Sequence, residues 1–205
     1  MNLLGSKGSK AVAFALLGAD VTVVDISESN QKYALELAAS AGVNIDYIAS
    51  DVLSLSGAPT NFDYVLLELG VLHYFVDLHP VFELVSHSLQ KGGKFILRDY
   101  HPFVSKVLEL KDDKMVAGGD YFNDNIIEND VAYSILLREE QRETIPKTVI
   151  RRWTLAEIIS SLSPVGLSIR TLEEEKGIRW PLPEGAPDGI ENKVPCLYTL
   201  TALKN

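Results

Sequence analysis

Apolar residues in the first hundred positions fall into short continuous runs separated by stretches of helical spacing. The runs are Asn2–Leu4, Val21–Asp25, Ile45–Ala49, Tyr64–Glu68 and Lys94–Asp99. Continuous apolar runs of this length mark strands buried on both faces, as parallel strands between two helix layers are. Between them, Ala11–Leu17, Ser29–Ala41 and Leu78–Gln90 carry apolar side chains at three- and four-residue steps. In the last of these, Leu78, Val81, Phe82, Val85 and Leu89 form one stripe, and Lys91-Gly92-Gly93 reads as the stop that follows it. Strand–helix alternation of this kind predicts an α/β fold, a doubly wound and mostly parallel sheet with right-handed crossovers.

From about Phe103 to Ile150 that pattern breaks. Asp112-Asp113-Lys114 and Gly118-Gly119-Asp120 are turn signals, and Glu139–Glu143 is a solvated charged run. Met115–Phe122, Val131–Leu137 and Thr148–Trp153 are expected as strands, and residues 103–150 as a cap inserted over the ends of the parallel strands. Thr154-Leu155-Ala156-Glu157 is a capping box opening a helix that ends near Pro164-Val165-Gly166. Leu167–Leu172 and Leu197–Leu203 read as two closing strands, the C-terminal one antiparallel, around a loop rich in proline and glycine (Gly177–Pro195). The whole of 1–205 is expected as a single domain.

Composition narrows the partners. A net charge of -9 argues against nucleic acid and anionic membrane surfaces. No window is apolar enough for a transmembrane span, and the single cysteine, Cys196, excludes an internal disulfide, so a cytoplasmic location is expected. The histidines, cysteine and acids show no metal-ligand spacing. No nucleophile elbow is present, and Gly5–Lys10 lacks the ending of a P-loop.

The chemistry concentrates in Asn2 to Asp25, which reads as strand, glycine-containing turn, helix and a second strand closed by an acid. A helix N-terminus offers free N–H groups to a ligand. A carboxylate ending the next strand can accept from both hydroxyls of a ribose. Gly8 to Asp25 spans about 17 residues, near the roughly 20 of a nucleotide-binding fingerprint. As an alternative, Asp25 is a helix N-cap.

With Ile48-Ala49-Ser50-Asp51-Val52, Phe62-Asp63-Tyr64-Val65-Leu66, Leu69-Gly70-Val71-Leu72-His73-Tyr74, Gly92–Leu97 and Arg98-Asp99-Tyr100-His101-Pro102 in this order, the chain resembles the small-molecule branch of the class I S-adenosylmethionine-dependent methyltransferases. The resemblance implies a Rossmann-like fold, S-adenosyl-L-methionine as cofactor and methyl transfer to a small-molecule substrate. In the family's first motif, Asn2 takes the aspartate position and Leu4, Ser6 and Gly8 take the three glycines. Leu4 and Ser6 stand where glycine normally permits unusual backbone angles, so a departure from the usual loop shape is expected, with Gly5 recovering part of it. The cofactor-binding residues implied are Gly5, Ser6, Gly8, Asp25 for the ribose, Ile26 against the adenine, Asp51 for its amino group, the Val52 N–H for a ring nitrogen, and Glu68 and Gly70 beside the methionine part.

His73, Tyr74, Asp99, Tyr100 and His101 follow the C-terminal ends of strands, where ligands bind in such sheets. His101 and His73 are the candidate catalytic bases, with pocket-shaping histidines as the alternative. Tyr121, Phe122, Arg152 and Trp153 are candidate walls of the acceptor site, or simply core. Competing readings are a NAD-dependent oxidoreductase, which shares the first two strands and Asp25, and a non-catalytic ligand-binding domain. The family carries a helical segment before its first strand, whereas Met1 here opens that strand. An open donor site, weak turnover and self-association into a homo-oligomer are therefore expected.

Overall fold

A computed structural model describes residues 1–55, 57–131, 138, 145 and 147–205. The parallel strands are β1 (Asn2–Leu3), β2 (Thr22–Asp25), β3 (Asp46–Ala49), β4 (Phe62–Glu68) and β5 (Leu89–Tyr100). Helices α1 (Ser9–Leu16), α2 (Glu28–Ser40) and α3 (His79–Ser88) connect them, and α4 (Pro102–Val107) follows β5. Then come β6 (Leu108–Lys111), β7 (Lys114–Ala117), β8 (Ile126–Asp130), β9 (Lys147–Arg151), α5 (Leu155–Ser160), β10 (Leu167–Glu175) and β11 (Leu197–Lys204). Among the described residues the main sheet has seven strands in the order β10-β11-β5-β4-β1-β2-β3. β11 runs antiparallel to both β5 and β10, and the other pairings are parallel.

The strand order reverses at β1. The chain winds from β1 through β2 to β3, then returns to place β4 on the other side of β1. Loops leaving β1 and β4 therefore diverge, opening a crevice at their C-terminal ends. Two apolar layers hold the sheet. Ala11 and Val12 of α1 and Ala34 and Ala38 of α2 pack on Val21, Val23, Ile45 and Tyr47. Val81, Phe82 and Val85 of α3 and Ile158 of α5 cover Val65, Leu67, Phe95, Leu97, Tyr198 and Leu200 on the opposite face.

Several elements differ from the sequence reading. Helix α3 stops at Ser88 rather than Gln90, because Leu89 is buried and pairs with Phe62 of β4. Lys91-Gly92-Gly93 lies inside β5 rather than capping the helix, with Gly92 at φ 77 where the β4–β5 register shifts. Tertiary pairing overrides the helical spacing here. The strand expected over Met115–Phe122 ends at Ala117, before Gly118-Gly119, and pairs with β6, which the periodicity did not mark. Asp112 and Asp113 join them with φ of 48° and 58°, the all-positive geometry of a two-residue hairpin turn. β8 was likewise unexpected; it pairs with β9, the strand read as Thr148–Trp153. Of the strand expected over Val131–Leu137 only Val131 is described, and it lies in no strand; Glu139–Glu143 lies outside the described residues. The capping box forms as read, and the helix it opens gives way to a 3-10 turn, Ser163–Val165, closed by Gly166 at φ 78.

Candidate functional site

At the crevice, the chain leaves β1 with Leu4, Ser6 and Gly8 all in the left-handed region, at φ of 48°, 48° and 69°. Two of the three positions lack glycine, yet both hold a backbone conformation that glycine adopts freely. Tertiary contacts hold the loop there. The Ser6 N–H donates to Asp25 Oδ2 at 2.9 Å, and the Tyr47 hydroxyl donates to the Ser6 carbonyl at 2.8 Å. Burial and the nearby Asp25 push the Tyr47 phenol pKa up, keeping it a donor. Gly5 is needed for space, since a Cβ there would sit 2.7 Å from Val23 Cγ1 and 2.8 Å from Asn2 Oδ1. Gly8 lets α1 approach α2, a Cβ meeting that of Ala34 at 2.6 Å. As the N-cap of α1 it supplies no side chain, leaving first-turn N–H groups open to a ligand.

Asp25 takes one N–H on each carboxylate oxygen, from Ser6 and from Ser27 at 3.0 Å. A carboxylate has about four lone-pair sites, so acceptor capacity remains on both oxygens. The N-cap of α2 is Ser27, not Asp25, which disposes of the alternative reading of that acid.

On the other side of the crevice, Leu69 and Gly70 leave β4 at φ of 62° and 76°. The buried Asp99, near the end of β5, fixes this turn. Its Oδ1 accepts from the Gly70 N–H at 2.6 Å and the Tyr100 N–H at 2.8 Å, and its Oδ2 accepts from the Leu72 N–H at 3.2 Å. A Cβ on Gly70 would lie 2.6 Å from the Tyr100 ring, so glycine lets that ring form the wall. Glu68 pairs with Lys10 of α1 across the crevice floor.

Between these turns lies a cavity of about 720 Å³, lined by Gly5, Ser6, Gly8, Asp25, Glu68, Gly70 and His73, among others. This is within the roughly 300–1,000 Å³ of small-molecule sites. It brings together seven of the residues expected from sequence. Ile26, Asp51 and Val52 are not part of its lining. Ile26 is 74% exposed beyond Asp25, Asp51 caps the turn Val52–Ser54 by accepting from the Leu53 N–H, and the Val52 side chain is buried.

A second cavity of about 230 Å³ adjoins the first, and His73, Tyr100, Asn129 and Ile150 line both. Leu72, Arg152, Trp153 and Tyr198 also line it. Burial lowers the His73 pKa below its ordinary 6.5, with Asp99 opposing and Arg152 adding to the fall. Arg152 and Trp153 were expected as walls here. Tyr121 and Phe122 were too, but the Tyr121 hydroxyl accepts from the Leu155 N–H at 3.1 Å and Phe122 is exposed. Asn129 and Ile150, from β8 and β9, were missed because no periodicity in that region announces a ligand.

His101 is not brought to either cavity lining. It is buried, its Nδ1 accepts from the Phe103 N–H at 3.1 Å to cap α4, and its Nε2 lies 3.0 Å from Glu174 Oε1. Burial draws its pKa down while Glu174 pushes it back.

Residues 4–97 match a family model described as a methyltransferase domain. The chain is 35% identical over 79 residues to a ubiquinone biosynthesis O-methyltransferase of Sinorhizobium fredii, covering 38% of this chain and 32% of that one. It is 34% identical over 119 residues to a mannitol dehydrogenase of Apium graveolens, covering 57% of this chain and 30% of that one. The chain thus spans about a third of the length of these curated relatives. The crystal structure of an S-adenosylmethionine-dependent methyltransferase from Mesorhizobium loti shares the fold at TM-score 0.72 and 21% identity, covering 99% of this chain and 89% of that one. In this chain β11 enters the sheet antiparallel, between β5 and β10. The chain thus shares the fold of an S-adenosylmethionine-dependent methyltransferase, and its residues 4–97 are similar to the methyltransferase domain that the family model describes.

Proposed function

We propose that the protein transfers a methyl group to a small-molecule hydroxyl acceptor, with the donor in the larger cavity and the acceptor in the smaller. The observation that carries this reading is the shared wall, with His73 at the junction of the two spaces. Bound S-adenosyl-L-methionine supplies an electrophilic methyl on a sulfonium. Asp25 would hold the ribose hydroxyls and the open N–H groups of α1 would face the donor, with the Leu69–Gly70 turn beside its methionine part. Ile26, Asp51 and Val52, outside the cavity lining, are proposed at the adenine end. Displacement at carbon needs an aligned, desolvated nucleophile, which a narrow pocket supplies. A hydroxyl must also lose its proton, and His73, held neutral by burial, is the group placed to accept it. His101, facing Glu174, is the weaker candidate for that role.

Residues 103–150 act in this reading as a cap within a single domain, since β8 and β9 lend side chains to both cavities. The net charge of -9 fits a metabolite rather than nucleic acid. No helix among the described residues is long and apolar enough to cross a membrane, and action in the cytoplasm is part of the proposal.

Calorimetry with S-adenosylhomocysteine tests the donor site. Asp25→Ala should weaken binding by roughly 1.5–3 kcal/mol, the scale of hydrogen bonds to a charged group. Unchanged affinity would refute the assignment. In turnover assays with labelled donor, His73→Ala should slow transfer about 10²–10⁴-fold at nearly constant donor affinity. The wild-type rate should fall as acid protonates His73, below the ordinary 6.5. A pH profile identical in wild type and variant would remove His73 from the chemistry.

A further inference from the structure

The smaller cavity carries an unspent donor at its base. Tyr198 of β11 is fully buried, lines the cavity, and its hydroxyl has no hydrogen-bond partner among the described residues. Leaving a buried polar group orphaned costs its desolvation, so a native fold keeps one where something else satisfies it. Asp99, the acid on the same wall, already accepts from three backbone N–H groups.

At the rim stands Arg152. Its guanidinium donates to the Ser105 carbonyl at 2.7 Å and has no carboxylate partner among the described residues. The neighbouring acid Glu157 is committed to Arg151 and to Thr154. Behind the rim, the buried Lys106 ammonium donates to two carbonyls, those of Asn123 and Arg152 at 2.6 and 2.7 Å. Glu157 and Asp120 act on Lys106, whereas Arg152 has no carboxylate within ion-pair distance among the described residues. The remaining lining is largely apolar, with Leu72, Ile150, Trp153 and Ile158.

We infer that the acceptor is a compact organic anion, a hydroxylated carboxylate whose charged group pairs with Arg152 and whose buried end accepts from the Tyr198 hydroxyl. The inference rests on the reading that the smaller cavity holds the acceptor. The cavity holds about 230 Å³ and shares a wall with the larger one, which favours a compact body. Guanidinium pairs with a carboxylate through two parallel N–H bonds, so the charged end also orients the hydroxyl relative to His73.

The test uses the full chain loaded with S-adenosylhomocysteine and two probes of matched shape, 3,4-dihydroxybenzoate and 3,4-dihydroxybenzamide. Calorimetry should find the carboxylate bound about tenfold more tightly than the amide, the scale of one charge-assisted contact. Arg152→Gln should erase that preference. Tyr198→Phe, which removes one oxygen and keeps the ring in place, should weaken both probes alike and leave the preference intact. Equal affinity of the probes for wild type, survival of the preference in Arg152→Gln, or binding of neither probe to the loaded protein would each overturn the inference. Failure of wild type to bind S-adenosylhomocysteine is a separate outcome that would overturn the donor assignment and this inference with it. Thermal unfolding of each variant distinguishes a lost contact from a lost fold.

Discussion

Leu4 and Ser6 show how a side chain can occupy a glycine's conformation when its neighbours fix the backbone. A left-handed L-residue costs roughly 1–2 kcal/mol. At Ser6 that cost is offset by the bond from its N–H to Asp25 and the bond its carbonyl accepts from Tyr47. At Leu4 it is offset by packing against the main apolar cluster. The two positions should therefore answer differently to glycine. Ser6→Gly keeps both backbone bonds and relieves the strain, and should stabilise the protein by about 0.5–1 kcal/mol in urea unfolding. Leu4→Gly loses buried apolar surface and should destabilise it. If both substitutions move the unfolding midpoint the same way, the balance described for this loop is wrong.

Elements in this chain are bounded by local chemistry in some places and by pairing in others. Helix α5 begins where the Thr154 hydroxyl accepts from the Glu157 N–H at 3.2 Å and the Glu157 carboxylate accepts from the Thr154 N–H at 2.8 Å. The two residues are three positions apart in the chain, so the capping box was legible. Thr154→Ala removes the cap and leaves that N–H unsatisfied, and should cost roughly 1–2 kcal/mol. A thermal midpoint indistinguishable from wild type would show that packing of Ile158 alone holds the helix. The end of α3 has no such local signal. Its stripe continues through Leu89, and only the distant Phe62 draws that residue into a strand.

Over the whole molecule, the antiparallel edge is tied back to the sheet by charge. The Arg98 guanidinium of β5 reaches across β11 to Glu175 of β10, donating through Nε at 2.9 Å and Nη2 at 2.6 Å. The hydrogen bond from Arg98 holds the Glu175 carboxyl below its ordinary 4.5. At Glu157 burial pushes the pKa up, but the bonds from Thr154 and the charge of Arg151 outweigh it, and the carboxyl also titrates below 4.5. A depressed folded-state pKa contributes stability that is present above the unfolded value and lost as pH falls through the folded one. Wild-type stability should therefore drop as pH falls below about 4.5, and Glu175→Gln should flatten the drop. Urea midpoints measured stepwise in acid test this, and parallel curves for the two proteins would refute it.

The succession of apolar runs and helical stripes by itself determined the parallel core, since residues buried between two layers must be apolar whatever their partners. It also marked Asp25, because a carboxylate closing a strand beside a turn is local chemistry. Strand order, the loop backbone at Leu4 and Ser6, and the meeting of His73 with Arg152 and Tyr198 were decided only by the tertiary structure. Each depends on groups far apart in the chain. Tyr198 reads as a core aromatic in an apolar strand, and only packing leaves its hydroxyl without a partner beside a cavity. Arg152 is one of several charges around a turn, and only the arrangement of β5, β9 and α5 sets it on a cavity wall with no ion pair among the described residues. Spacing along a chain records which residues share a face, whereas a binding site depends on which faces meet.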